Sequence, residues 1–269
     1  MKHQISIIGC GWLGFPLAKT LVSEGLSVKG STTSNDKLET LTNADIDAFL
    51  IQLQPEGIIG NITDFLSNST TVVINIPPGL RKNPTKDHVA EIKHLIRAIE
   101  EHRVPNVIYI SSTSVFKDDE NFPVIGHNTK PNGMSSSAKQ LIEIEELLQN
   151  NTSFKTTIIR FAGLFDAERH PAKFLSGRTN ISNPEAPVNL IHKNDCIEII
   201  SKVIKTNRWN ICLNASFPDH PTKKDYYSAY CELHDLTLPV FNSDKKSEGK
   251  IIDSSKLEQL LNFTFQQGI

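Results

Sequence analysis

No apolar stretch in these 269 residues approaches the roughly 20 that a membrane-spanning helix needs. The first apolar run, Ile5–Ile8, is one strand long and leads straight into glycines, so no signal peptide is expected. Charge of one sign is missing too. The 28 basic and 30 acidic residues leave a formal net charge of -2 and are interspersed, which offers no footprint for nucleic acid or an anionic membrane. Cysteine is scarce. Cys10, Cys196, Cys212 and Cys231 stand at no metal-ligand spacing, each in or near an apolar run. They read as buried free thiols in a reducing compartment, and no metal site is expected. There is no Gly-x-Ser-x-Gly elbow, no H-E-x-x-H and no P-loop, so nothing supports a hydrolase. These absences point to a soluble, cytoplasmic protein with a small-molecule partner, and they leave its oligomeric state open.

What is present is an alternation. With 38% hydrophobic residues the chain can bury a sizeable core. A strand at Ile5–Ile8 is followed by a helix over about Trp12–Glu24, with Leu13, Leu17, Leu21 and Val22 on one face. Pro16 is tolerable only in that helix's first turn, and Gly25 is a good stop. Then come a strand at Ser27–Gly30, a helix near Asp36–Thr42, and strands at Ala48–Leu53 and Thr71–Ile76 around a poorly patterned connection. A helix over about Lys86–His102 repeats Val89, Ile92, Ile96 and Ile99, and Pro105 ends that unit. Val107–Ser111 is apolar without alternation, as a strand buried on both faces would be. A helix at Ser136–Leu148 and a strand at Thr157–Phe161 follow.

Strands alternating with helices predict βαβ units, and right-handed crossovers make these a Rossmann-type α/β fold, a doubly wound parallel sheet. After Gly163 the pattern changes. Residues 166–187 read as irregular, Val188–Thr206 returns to strand plus helix, and the last sixty or so residues hold short elements. The expected division is a dinucleotide-binding domain over 1–164 and a smaller C-terminal substrate lobe over 165–269, with 188–206 packing back on the sheet.

The first strand runs into Gly9-Cys10-Gly11-Trp12-Leu13-Gly14 and then a helix, which is G-x-G-x-x-G in its required context. Gly9 permits the tight turn, Gly11 lets a pyrophosphate approach the backbone, and Gly14 lets helix and strand pack closely. Trp12 and Leu13 complete the turn at the helix N-terminus, whose N–H groups and partial positive charge suit phosphates. The implied cofactor is NAD or NADP. The second strand's end usually gives an acid to the adenosine ribose. Here it reads Gly30-Ser31-Thr32-Thr33-Ser34 with Lys37 nearby, and hydroxyls plus a lysine suit a 2′-phosphate better, which tilts the reading to NADP. Ser34 or Asp36 could instead cap the next helix.

The glycine motif, the strand ending Ile110-Ser111-Ser112-Thr113-Ser114-Val115-Phe116, and Arg160-Phe161-Ala162-Gly163 resemble the extended short-chain dehydrogenases/reductases. With Gly11-Trp12-Leu13-Gly14, Arg169-His170-Pro171 and Gly249-Lys250-Ile251-Ile252-Asp253, the chain is similar to the atypical, YeeZ-like branch of the NAD-dependent epimerase/dehydratase superfamily. The resemblance implies that Ser112, after the fifth strand, hydrogen-bonds the reacting oxygen. It also implies a Tyr-x-x-x-Lys pair on the next helix, the Tyr as acid/base and the Lys binding ribose and lowering the Tyr pKa. Lys139 matches the Lys, but Ser135 stands at the Tyr position, and Tyr109, Tyr226, Tyr227 and Tyr230 all lie elsewhere. A serine hydroxyl is shorter and far less acidic. Ser135–Ser137 read as a helix cap, with Ser137 and Gln140 fitting a capping box. Tyr109 belongs to the buried strand.

Arg169 and His170 could meet a phosphate or carboxylate, or form a surface turn before Pro171. Asp195 reads as a helix cap ahead of a catalyst, and His127, in a loop near the helix bearing Lys139, as an exposed loop histidine ahead of a replacement for the missing base. The leading expectation is an NAD(P)-binding oxidoreductase, epimerase or dehydratase that transfers hydride on a small polar carbonyl or alcohol, such as a nucleotide sugar. The alternative is a non-catalytic NAD(P)-binding sensor or interaction protein that has lost the catalytic Tyr.

Overall fold

The structure is a computed structural model and describes residues 4–80 and 82–269. Seven strands form the main sheet: β1 (Gln4–Ile8), β2 (Ser27–Thr32), β3 (Asp47–Leu50), β4 (Thr71–Ile74), β5 (Asn106–Ser112), β6 (Lys155–Phe161) and β7 (Ile211–Ala215). Their order is β7-β6-β5-β4-β1-β2-β3. The pairings from β3 across to β5 are parallel, with Ile5 opposite Val28, Ile7 opposite Val73 and Val73 opposite Ile108. The order turns back between β1 and β4, the place where an open α/β sheet offers a crevice at its strand ends. Ile5, Ile7, Val72, Val73, Val107 and Ile108 are fully buried, so the middle strands carry unbroken apolar runs because both faces are covered.

The helices are α1 (Gly14–Ser23), α2 (Leu38–Thr42), α3 (Ile62–Leu66), α4 (His88–Glu101), α5 (Ser136–Gln149), α6 (Pro171–Leu175), α7 (Lys193–Lys205), α8 (Lys223–Leu233) and α9 (Ser255–Leu261). Leu17 and Leu21 of α1, and Ile92, Leu95 and Ile99 of α4, are fully buried, each contributing about 1.5–3 kcal/mol of transfer free energy. Pro16 falls in the first turn of α1. The helix stops at Gly25, which takes φ +84 while Leu26 N donates to Leu21 O. Asp87 caps α4, its Oδ1 accepting from Ala90 N at 2.8 Å. α4 packs on α3 and α5. Glu24, at the end of α1, accepts from Ser201 Oγ and pairs with Lys205, both on α7.

The chain divides into two compact units, one of Met1–Ser112, Met134–Arg160 and Ile197–Cys212, the other of Thr113–Gly133, Phe161–Cys196 and Leu213–Ile269. The second unit has two short parallel ribbons, Gly163–Phe165 with Leu190–His192 and Val124–Ile125 with Ile251–Ile252. Its core gathers Phe165, Ala172, Val188, Leu190, Tyr227 and Cys231. Asn189 ties the Ile251–Ile252 ribbon in place, donating to Lys250 O and accepting from Ile252 N.

Two expectations need correction. The single strand at Ala48–Leu53 is broken, because Ile51 N donates to Thr32 O and the chain then turns into a hairpin, Gln52–Gln54 against Gly57–Ile59. The irregular segment 166–187 contains α6, started by Pro171 and capped by His170. The last sixty or so residues hold short elements as expected, β7, α8 and α9 among them.

Candidate functional site

Within the first unit, β1 ends in a turn that can be built only with glycine at two of its three motif positions. Gly9 has φ +100, and a Cβ there would lie 2.5 Å from Asn75 O. A Cβ on Gly14 would lie 2.2 Å from Gly9 O and 2.9 Å from Asn75 Nδ2. Gly11 differs: a Cβ there meets nothing within 4 Å. Leu13 stands at the N-cap of α1 without a side-chain cap, and no acid lies in the first turn. An open space beside a glycine, at a helix start without a capping side chain, fits the phosphates of a dinucleotide. Trp12 is half-buried and Leu13 is buried in the core, so Leu13 offers only its backbone to a ligand.

Neighbouring strands hold the turn. Ser31 Oγ accepts from Gly9 N at 3.1 Å, and Ser31 O accepts from Cys10 N at 2.8 Å. From the other side, Asn75 Nδ2 donates to Gly9 O at 3.0 Å. Asn75 was not singled out in the sequence, where it is one polar residue closing an apolar strand. Burial pushes the Cys10 thiol up to about 12, which makes it a small core residue and not a nucleophile. Ser31 is 2% exposed, and Thr32 is buried with Oγ1 accepting from Ser34 N. Thr33 and Lys37 are exposed. Ser34 precedes the short 3-10 turn at Asn35–Lys37 without capping it through its side chain.

Ser112 closes β5 and is partly exposed. Beside it, Ser111 Oγ donates to Glu145 Oε1 at 2.5 Å, tying the strand to α5. Glu145 also receives Arg160 Nε at 3.0 and 3.1 Å and Nη2 at 2.6 Å. Both partners are buried, with side chains 5% (Arg160) and 2% (Glu145) exposed. Burial alone would pull the Arg160 pKa down, but the Glu145 carboxylate outweighs it and holds the guanidinium charged. The sequence carried a signal for this pair: an acid on the apolar stripe of α5 with Leu141 and Leu148, and a base inside a buried strand. Tyr109 is fully buried nearby. Burial and then Glu145 push its phenol well above the usual range, so it cannot be a base.

On α5, Ser135 is the N-cap, its Oγ accepting from Ala138 N at 3.1 Å. The capping box between Ser137 and Gln140 does not form, because Gln140 is spent on α4: Oε1 accepts from His88 N and Nε2 donates to Lys86 O. Lys139 points from the exposed side, and among the described residues no side-chain partner holds its ammonium.

In the second unit, His170 is not on a surface turn. It is 4% exposed, stacked on Tyr230 with centroids 3.7 Å apart, and caps α6 by accepting from Ala172 N through Nδ1. Its Nε2 therefore carries the proton and donates to Tyr226 Oη at 2.9 Å. Burial, then the charges of His234 and Lys173, lower its pKa to about 4. Arg169 is exposed, and its N donates to Asp166 Oδ1. Asp166 pairs with Lys193, which together with the Arg169 amide outweighs burial and keeps the carboxylate ionised. Asp195 is buried in the first turn of α7 and accepts from the amides of Gln266 and Gln267. His127 is exposed in its loop. The four cysteines are free. Among the described residues no cluster could hold a metal ion, and no helix is long and apolar enough to cross a membrane.

Comparison with known proteins gives a consistent result. A family model described as NAD(P)H-binding matches residues 9–191. Protein YeeZ of Escherichia coli K12 is 33% identical over 266 residues, covering 98% of this chain and 96% of its own. Among solved structures, MoeE5 in complex with UDP-glucose and NAD superposes with a TM-score of 0.80 at 17% identity, over 99% of this chain and 94% of that one. UDP-N-acetylglucosamine 4-epimerase from Bacillus cereus gives a TM-score of 0.79 at 16% identity, over 99% and 92%. The fold is therefore that of the epimerase, dehydratase and short-chain dehydrogenase/reductase group.

Proposed function

This chain belongs to the NAD(P)H-binding family, and on that premise we propose that it is an NAD(P)-dependent oxidoreductase, epimerase or dehydratase acting on a small polar carbonyl or alcohol. A nucleotide sugar is the leading substrate class. The observation that carries the reading is the opening at Gly11, beside a helix start that no side chain caps. Gly11, Trp12 and Leu13 would meet the pyrophosphate at the helix start, on a turn whose shape Gly9 and Gly14 set. Beyond β2, Thr33 and Lys37 would meet the adenosine ribose, with Ser31 and Thr32 supporting that strand end. A cation and hydroxyls without a carboxylate favour NADP over NAD. When bound, the nicotinamide supplies hydride transfer.

Ser112 would donate a hydrogen bond to the substrate oxygen, and Lys139 would bind the nicotinamide-side ribose. Ser135 takes no part in proton transfer in this reading, because its oxygen caps α5. Residues 165–269 would select the substrate. One observation favours a second reading, a dinucleotide-binding sensor without turnover: the position four before Lys139 holds a capping serine where the acid/base tyrosine would be. The test is a panel of nucleotide sugars and small carbonyls, scored by cofactor absorbance and by product chromatography, with a co-purified ligand identified by mass spectrometry. Turnover that falls about 100-fold or more in Ser112→Ala supports the enzyme reading. Tight dinucleotide binding with no product from any substrate supports the sensor.

A further inference from the structure

We infer that Ser31 is a positioning residue of the dinucleotide site, which with Asn75 clamps the Gly9 peptide from both sides and thereby sets the turn on which the pyrophosphate rests. This builds on the dinucleotide reading above. The two residues come from strand ends flanking β1, Ser31 on β2 and Asn75 just after β4. Gly9 gives its N–H to Ser31 Oγ at 3.1 Å and receives Asn75 Nδ2 on its C=O at 3.0 Å. The backbone around it is pinned in the same way, with Cys10 N donating to Ser31 O at 2.8 Å and Asn75 N donating to Ile8 O at 2.9 Å.

The clamp leaves no slack. A Cβ on Gly9 would strike Asn75 O, one on Gly14 would strike Gly9 O and Asn75 Nδ2, and one on Gly30 would come within 2.7 Å of Cys10 Sγ. Two residues past Gly9 the packing stops, since Gly11 faces open space. A fixed base below an open rim is pre-organisation: backbone groups held in their bound orientation take an anion without the entropy of ordering a loop.

The same contacts separate two roles at the end of β2. Ser31 is 2% exposed with its oxygen turned to the Gly9 amide, whereas Thr33 and Lys37 are exposed where a ribose would lie. Ser31 then acts on the part common to NADH and NADPH, and Lys37 on the part that differs. The test is titration calorimetry with NADH and NADPH on the full chain and on Ser31→Ala, Ser31→Cys and Lys37→Ala, with hydrogen exchange at the Gly9 amide. Ser31→Cys keeps the side chain's shape while weakening the acceptor, and thermal melting checks the fold of each variant.

The expected result is a loss of about three- to tenfold for both dinucleotides in the Ser31 variants, the scale of one hydrogen bond, with their ratio unchanged and Gly9 exchange faster. Lys37→Ala should lower NADPH affinity alone. A Ser31 loss confined to NADPH would mean that the hydroxyl touches the ribose end, and unchanged affinity for both would mean that the clamp does not set the turn. Either outcome overturns the inference. A wild-type chain that binds neither dinucleotide overturns the dinucleotide reading itself, a separate and recognisable failure.

Discussion

The glycine turn and the start of α5 lie in the same unit, and each uses a serine hydroxyl to accept a backbone N–H, with opposite consequences. At the turn, Ser31 accepts from Gly9 and the chain just beyond stays open at Gly11. At α5, Ser135 accepts from Ala138 and closes the helix end, while Lys139 stands exposed beside it. The first arrangement presents backbone to a ligand, and the second finishes a secondary-structure element. Backbone recognition needs only that small residues stay small. Proton transfer needs particular side chains at one spot, and a single replacement removes it. A chain can therefore hold a dinucleotide turn intact while its expected acid/base position has become a cap.

The largest expected effect tests what holds the end of β5, at Ser111, to α5. Glu145→Ala would take the carboxylate away from the buried Arg160 guanidinium, and denaturant unfolding should show a loss of roughly 3–5 kcal/mol. Glu145→Gln, which keeps an acceptor for Ser111, should lose less. A loss below about 1 kcal/mol for the alanine would mean that the pair does not brace the strand end.

A second effect belongs to the other unit. Folded His170 titrates near 4, below the ordinary 6.5, so the unfolded chain takes the proton first as pH falls. Above about 6.5 both states are neutral and His170 adds no pH dependence. Between 6.5 and 4 stability should fall, by on the order of 3 kcal/mol over the full shift. His170→Gln should flatten that part of the stability–pH curve. An identical slope in the variant would show that other groups cause it.

The smallest effect bears directly on the two serines. Ser135→Ala should cost about 1 kcal/mol of stability, as a lost N-cap does, and leave the affinity for both dinucleotides unchanged. A Ser135→Ala protein that folds well but loses all turnover would restore the serine to the chemistry and erase the contrast with Ser31.

Much of this was legible in the residues. Short apolar runs placed the first six sheet strands and the 3.6-residue period the long helices, because burial on both faces of β1, β4 and β5 leaves those runs unbroken. The glycine motif was legible because its steric demands are local. The seventh strand was not, since Ile211–Ala215 is short and follows a turn without a strong pattern. The clamp on Gly9 was hidden as well. Asn75 lies 66 residues from Gly9 in sequence and meets it only through the parallel pairing of β1 and β4. Ser31 looked like a ribose contact because position along a strand says which end a residue occupies, not whether its hydroxyl is already bonded. His170 looked like a surface or substrate group, and its stack on Tyr230 is a contact across 60 residues that no local pattern reports.

The central claim is that the open space at Gly11 is where a dinucleotide rests. The direct measurement is titration calorimetry of the wild type and Gly11→Val with NADPH and NADH, beside thermal melting of both proteins. A valine there meets no protein atom near its Cβ, so the melting temperature should hold, while its branched side chain fills the opening and affinity for both dinucleotides should fall by about 100-fold or more. A folded Gly11→Val protein that binds both as tightly as the wild type would contradict the account.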